Sequence, residues 1–194
     1  MTTANKITIG RILLVPFFII QVIYYARTGY EWYRIGSVVT FGLASVADGL
    51  DGYIARVYNQ RSELGAILDP LADKLLLVSG VILLSLENKG RFVRIPLWLT
   101  VTILSRDTIV LIGVGVIQHI TGKVQVRPRL AGKVATVLQM AVVLWTLLQW
   151  RAAALPWLTA AAGLMTGVAG LIYIVDGVHQ LNAHPASAPA PRQQ

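Results

Sequence analysis

Residues 48–74 read DGLDGYIARVYNQRSELGAILDPLADK, four aspartates at fixed spacing in a chain whose composition is otherwise that of a membrane protein. An ionised carboxylate in or near hydrocarbon is costly, so Asp48, Asp51, Asp69 and Asp73 on two neighbouring apolar segments require compensating positive charge. No run of Lys or Arg lies close enough in the sequence to neutralise all four. One divalent cation, or a pair, is the simplest remaining solution. The stretch therefore predicts a metal-assisted site at a membrane face.

Hydrophobic residues make up 55% of the 194 and charged residues 13%, against about 25% charged in an ordinary soluble domain; mean hydropathy is +0.63. Cysteine is absent, which excludes disulfides and thiolate chemistry. The net charge of +8 is spread between apolar runs rather than clustered. No nucleic-acid partner is expected from that pattern. The basic residues instead flank spans and attract anionic lipid or phosphate.

Six apolar segments approach the ~20 residues needed to cross a bilayer: about 12–25, 37–55, 66–86, 95–117, 131–149 and 156–178. The expected fold class is all-α, with six transmembrane helices and an amphipathic N-terminal start. Lys6 and Arg11 precede the first segment like the basic start of a signal peptide, but no small-residue cleavage site follows, so it reads as a span. With the N-terminus inside, basic residues on inner flanks outnumber those in outer loops, which favours the cytoplasmic orientation. Residues 1–180 form one membrane domain on this reading. The Pro/Ala-rich residues 181–194 form a disordered tail.

Asp48 and Asp51 are three apart, and Asp69 and Asp73 four apart, so each pair shares a helix face. If the second segment runs inward to Arg56 and the third outward from Gly65, both pairs lie roughly 6–12 Å from the inner helix ends. Antiparallel neighbours would then present four carboxylates to one another. Oxygen-only ligands suit Mg²⁺, Mn²⁺ or Ca²⁺ rather than zinc. For Asp69 alone, an N-cap followed by Pro70 is an equal alternative.

The string Asp48-x2-Asp51-Gly52-x2-Ala55-Arg56-x8-Gly65-x3-Asp69-x3-Asp73 resembles the complete signature of the CDP-alcohol phosphatidyltransferases, with every fixed position filled. NKITIGRILLVPFF near the start and GKVATVLQM in the fifth segment are similar to bacterial members. The resemblance covers about residues 5–178. It implies a six-helix enzyme of the bacterial inner membrane, commonly a homodimer, with a polar cavity open to the cytoplasm. Such an enzyme moves a phosphatidyl group from CDP-diacylglycerol to an alcohol and releases CMP. It further implies two Mg²⁺ or Mn²⁺ ions on Asp48, Asp51 and Asp69, with Asp73 as general base and a possible metal contact. Gly52, Ala55 and Gly65 would let the flat nucleotide approach the backbone, although helix packing also uses small residues. Arg56 would contact the donor, with snorkelling to the interface as the alternative.

An acceptor bearing a phosphate needs fixed cations. Arg106 lies eleven residues into the fourth segment and would be costly if it faced lipid. Lys133, Arg127 and Arg129 are placed to join it, the arginines with bidentate geometry; simple inner-loop charge is the alternative for Arg127 and Arg129. Pairing of Arg106 with Asp107 is not expected, because consecutive helix residues point apart. Lys74, next to the base, points elsewhere on its helix and is left out of the site. Glycerol 3-phosphate is the expected acceptor. The Ser105-Arg106-Asp107 element, similar to that of CDP-alcohol-type cardiolipin synthases, makes phosphatidylglycerol the alternative. A non-enzymatic divalent-cation transporter is the rival class; it gives no reason for Gly52, Ala55 and Gly65 at their spacings.

Overall fold

The computed structural model describes residues 3–57, 63–86, 90–121 and 130–182, with side chains described for 9–47, 71–86, 90–117 and 130–179. The described residues form six α-helices: α1 (Thr3–Thr28), α2 (Glu31–Val57), α3 (Glu63–Ser85), α4 (Leu97–Thr121), α5 (Leu130–Leu148) and α6 (Leu155–Asn182). One 3-10 turn, Ala152–Ala154, leads into α6. No strand occurs among the described residues.

Each expected apolar segment coincides with one helix, and most helices run further into polar sequence. The amphipathic start and the first span are a single helix, α1, with Pro16 inside it. Proline removes one backbone donor, which membrane helices tolerate when neighbours re-satisfy the freed carbonyl. Among the described residues, four stretches are long and apolar enough to cross a membrane: Ile9–Thr28, Leu97–Ile117, Leu130–Leu148 and Ala152–His179. The acid string lies instead on α2 and α3, of 27 and 23 residues, or about 40 and 34 Å of helix.

α1 lies against both α2 and α3, while α6 lies against both α4 and α5. The two groups meet where α5 touches α2 and α3, and where α3 touches α4. Among the described residues, direct contact between α2 and α3 is slight. Both helices also pack along α1, and the ends of α2 and α3 that carry the acid string have their side chains outside the described set. Phe18 of α1 and Phe41 of α2 meet with ring centroids 5.7 Å apart. Val22, Leu77, Val81, Leu99, Val142 and Leu147 extend the same core through α1, α3, α4 and α5.

Where lipid replaces water, burying a leucine against protein gains little hydrophobic free energy, so packing fit and interhelical hydrogen bonds decide stability. A Cβ at Gly80 of α3 would stand 3.0 Å from Val143 Cγ1, which shows how closely α3 and α5 cross. Buried hydroxyls bond back to their own helices: Thr40 Oγ1 donates to Gly36 O at 2.8 Å and Thr146 Oγ1 to Val142 O at 2.9 Å. These bonds satisfy groups that hydrocarbon cannot. Gln139 Nε2 donates to Thr166 Oγ1 at 2.7 Å and ties α5 to α6. Leu13, Leu43, Val101, Leu111 and Leu164 point outward on α1, α2, α4 and α6 and give the bundle an apolar exterior.

Polar contacts lace one end of the bundle. Arg34 Nε donates to Glu31 Oε2 at 2.6 Å, and Arg34 Nη1 reaches the carbonyls of Leu147 and Leu148 at 3.4 Å. Gln149 Nε2 donates to Tyr25 Oη at 2.9 Å and to Arg91 O at 2.7 Å. α1 ends at Gly29, whose N–H bonds Tyr25 O at 2.8 Å with φ at +77°. This is a left-handed cap of the kind glycine supplies without strain. Gly29→Ala is expected to destabilise the protein by about 1–2 kcal/mol, seen as a lower midpoint of thermal unfolding in detergent.

Candidate active site

The opposite end of the bundle carries the chemistry-bearing residues. α2 stays helical through Asp48 and Asp51, and α3 through Asp69 and Asp73, so the spacings of three and four are helical spacings. α3 begins at Glu63. Asp69 and Pro70 therefore lie in its second turn, which overturns the N-cap alternative. Among the described residues no three Asp, Glu or His side chains stand together. The side chains of Asp48, Asp51, Asp69, Gly52, Ala55, Arg56 and Gly65 lie outside the described set. Arg127 and Arg129 also lie outside the described residues, as do the tail residues 183–194. Asp73 is described and half-buried on α3.

Immediately after Asp73, Lys74 Nζ forms an ion pair with Asp107 Oδ2 of α4. Asp107 Oδ1 accepts from Arg106 Nη1 at 2.8 Å. Side-chain exposure is 10% for Arg106, 12% for Asp107 and 37% for Lys74. The pairing of Arg106 with Asp107 corrects the expectation that adjacent helix residues turn apart. That rule describes where the Cβ atoms point, whereas the arginine stem is long enough to curl its head back. Burial supplies the reason to do so, since an unpaired carboxylate there is costly. Lys74 is a second correction: it reaches across to α4 and belongs to the same cluster.

Arg106 is held from several sides. Its guanidinium lies over the Tyr173 ring of α6, 5.3 Å from the centroid, a favourable cation–π arrangement. A Cβ at Gly132 of α5 would stand 2.9 Å from Tyr173 Oη and 3.2 Å from Arg106 Nη2, and one at Gly170 of α6 would stand 3.3 Å from Arg106 Cγ. Two missing side chains thus let α5 and α6 close around the arginine. Arg106 Nε is buried and has no hydrogen-bond partner among the described residues. A buried N–H of a guanidinium without a partner is costly, and an anionic ligand would satisfy it. Lys133, by contrast, is exposed beside Gly132. Arg11 of α1 is 3% exposed, so the first helix turns this cation inward rather than leaving it at the interface.

Sequence reasoning missed Lys74, Gly132, Gly170 and Tyr173. A glycine two residues into α5 was the only local hint, and nothing in the sequence pairs it with a tyrosine 41 positions later. The donor chemistry suits hard divalent cations. Asp73 offers carboxylate oxygen on α3, and the lysine beside it is engaged by Asp107. Asp48, Asp51 and Asp69 add the same ligand type at one-turn spacing on helical backbone.

The chain is similar to bacterial proteins named CDP-diacylglycerol--glycerol-3-phosphate 3-phosphatidyltransferase. The one from Escherichia coli K12 is 32% identical over 145 residues, 75% of each chain. That from Salmonella typhi is 31% identical over the same length, again 75% of each. The family model described as CDP-alcohol phosphatidyltransferase matches residues 1–170 and so takes in all four aspartates together with Lys74, Arg106 and Asp107. The transporter alternative falls with that match. A helical bundle with an apolar exterior, the whole acid signature and this extent of similarity lead to one conclusion: the chain belongs to the CDP-alcohol phosphatidyltransferase family and is a phosphatidyltransferase enzyme.

Proposed function

We propose that the enzyme transfers the phosphatidyl group of CDP-diacylglycerol to glycerol 3-phosphate and releases CMP. The observation that carries the acceptor is Arg106, nine-tenths buried, anchored through Nη1 and with Nε unpartnered among the described residues. Lys74, Arg106 and Asp107 together keep one net positive charge, which suits a phosphate better than a neutral alcohol. Relatives that cover 75% of the chain carry glycerol 3-phosphate in their names. Lys133, Arg127 and Arg129 would widen the cationic mouth of this pocket.

In the reaction, the acceptor hydroxyl oxygen bonds to the phosphatidyl phosphorus. The pyrophosphate P–O bond on the CMP side breaks, and CMP leaves with the electron pair. Asp73 takes the hydroxyl proton. Asp48, Asp51 and Asp69 would hold two Mg²⁺ or Mn²⁺ ions, to which Asp73 would add a contact; bound metal would supply charge neutralisation for the pyrophosphate and the departing phosphate. Gly52, Ala55 and Gly65 clear room for the nucleotide, and Arg56 reaches the donor. The reading further has all six helices spanning a bacterial inner membrane, the site facing the cytoplasm, and two chains forming a homodimer.

An acceptor panel tests it. Purified protein in detergent receives CDP-diacylglycerol, Mg²⁺ or Mn²⁺, and in turn glycerol 3-phosphate, phosphatidylglycerol, inositol phosphate and serine, with CMP release measured. Glycerol 3-phosphate is expected to support turnover far above the others. Release with phosphatidylglycerol alone would overturn the acceptor and leave the transferase chemistry intact.

A further inference from the structure

We propose that Asp107 is a positioning residue for the acceptor, and that it works by sharing one carboxylate between a cation of α4 and a cation of α3. The inference rests on the acceptor reading above. Oδ1 takes Arg106 Nη1 at 2.8 Å, and Oδ2 takes Lys74 Nζ. With Nη1 committed and the guanidinium face lying on Tyr173, the plane of Arg106 is set from two directions. Nε is then the buried donor that remains without a partner among the described residues. Gly132 and Gly170 make room for this arginine, since an added Cβ would stand 3.2 Å from its Nη2 and 3.3 Å from its Cγ. A planar donor fixed in this way is pre-organised for a phosphate oxygen and loses little further freedom on binding. The same carboxylate ties that donor to Lys74, the residue after Asp73. The acceptor phosphate and the base that deprotonates the acceptor hydroxyl are thereby referred to one anchor.

Positioning and simple charge give opposite predictions. Removing a carboxylate beside two cations makes the pocket more positive, so charge alone predicts tighter phosphate binding in Asp107→Asn. Positioning predicts weaker binding, because Arg106 loses a charged hydrogen bond and its orientation. Steady-state kinetics of the full-length protein in detergent separate the two, with glycerol 3-phosphate varied at saturating CDP-diacylglycerol and then the reverse.

In Asp107→Asn the acceptor KM is expected to rise roughly tenfold or more, the size of one charge-assisted hydrogen bond, with the donor KM within about twofold of wild type. Asp107→Glu keeps the charge and moves the carboxylate by one methylene, and its acceptor KM is expected to fall between the two. The double variant Lys74→Gln with Asp107→Asn restores the net charge of the wild-type trio, yet should stay impaired.

An unchanged or lowered acceptor KM in Asp107→Asn, or a wild-type KM in Asp107→Glu or in the double variant, would overturn the proposal. Should Asp107→Asn fail to fold, the charge-preserving glutamate variant decides alone. If wild-type protein does not use glycerol 3-phosphate, the acceptor reading has failed. The same comparison is then run with whichever anionic acceptor releases CMP, so the two failures stay distinct.

Discussion

Asp73→Asn is expected to reduce CMP release by about a thousandfold or more while leaving the fold intact. The substitution is nearly isosteric and keeps one acceptor oxygen, so packing around this half-buried position on α3 changes little. What disappears is the group able to take the hydroxyl proton, and positioned general bases contribute about 10²–10⁴-fold. The larger figure is expected here because the same carboxylate borders the proposed metal site. Single-turnover CMP release, together with retained binding of CDP-diacylglycerol and Mn²⁺, checks the assignment. Turnover within tenfold of wild type would remove Asp73 from the role of base.

Arg106→Ala is expected to lower kcat/KM for glycerol 3-phosphate by about a hundredfold or more, with most of the loss in acceptor KM. Two effects add. The acceptor phosphate loses its buried donor, worth about 1.5–3 kcal/mol for a hydrogen bond to a charged group. Asp107 is also left with Lys74 as its remaining partner in the trio, which draws the lysine's charge away from the pocket. Arg106→Lys should recover only part of this loss. An ammonium is a point charge without the planar fork that pairs with Asp107 and lies on Tyr173 together. Equal kinetics for the lysine variant and wild type would show that charge alone is enough.

Much of the architecture is legible from local sequence because a bilayer constrains it severely. Apolar segments of spanning length have to be helices in a bilayer; the middles of the six helices described lie where hydropathy puts them, and four of these are long and apolar enough to cross a membrane. The helix ends were less visible. α2 begins at Glu31, six residues before its apolar run, because the polar turn Glu31–Arg34 is held by its own ion pair and by the carbonyls of α5. The acid signature was legible for the same local reason, since its eight fixed positions lie within 26 consecutive residues. The order of packing was not. Hydropathy alone does not show that α1 packs along both α2 and α3, or that α6 packs along α4 and α5.

The acceptor pocket divides in the same way. Arg106 could be picked out because a buried cation in a span is too costly to be incidental. Its surroundings could not. Lys74 and Asp107 are 33 residues apart, and Gly132 meets Tyr173 only because α5 packs against α6. Lys133 shows the converse. It carries the right charge at nearly the right place, but the helix turns its neighbour Gly132 inward and leaves the lysine exposed.

The claim on which the mechanism depends is that aspartates of α2 and α3 together hold divalent ions. Mn²⁺ binding to metal-stripped protein in detergent, followed by electron paramagnetic resonance, tests it most directly. Two Mn²⁺ per chain are expected, with the spin coupling of ions about 3.5–4 Å apart. Asp51→Asn on α2 and Asp69→Asn on α3 should each abolish the coupled signal and CMP release together. Uncoupled Mn²⁺ bound equally by wild type and both variants, with turnover that survives chelation, would contradict the account.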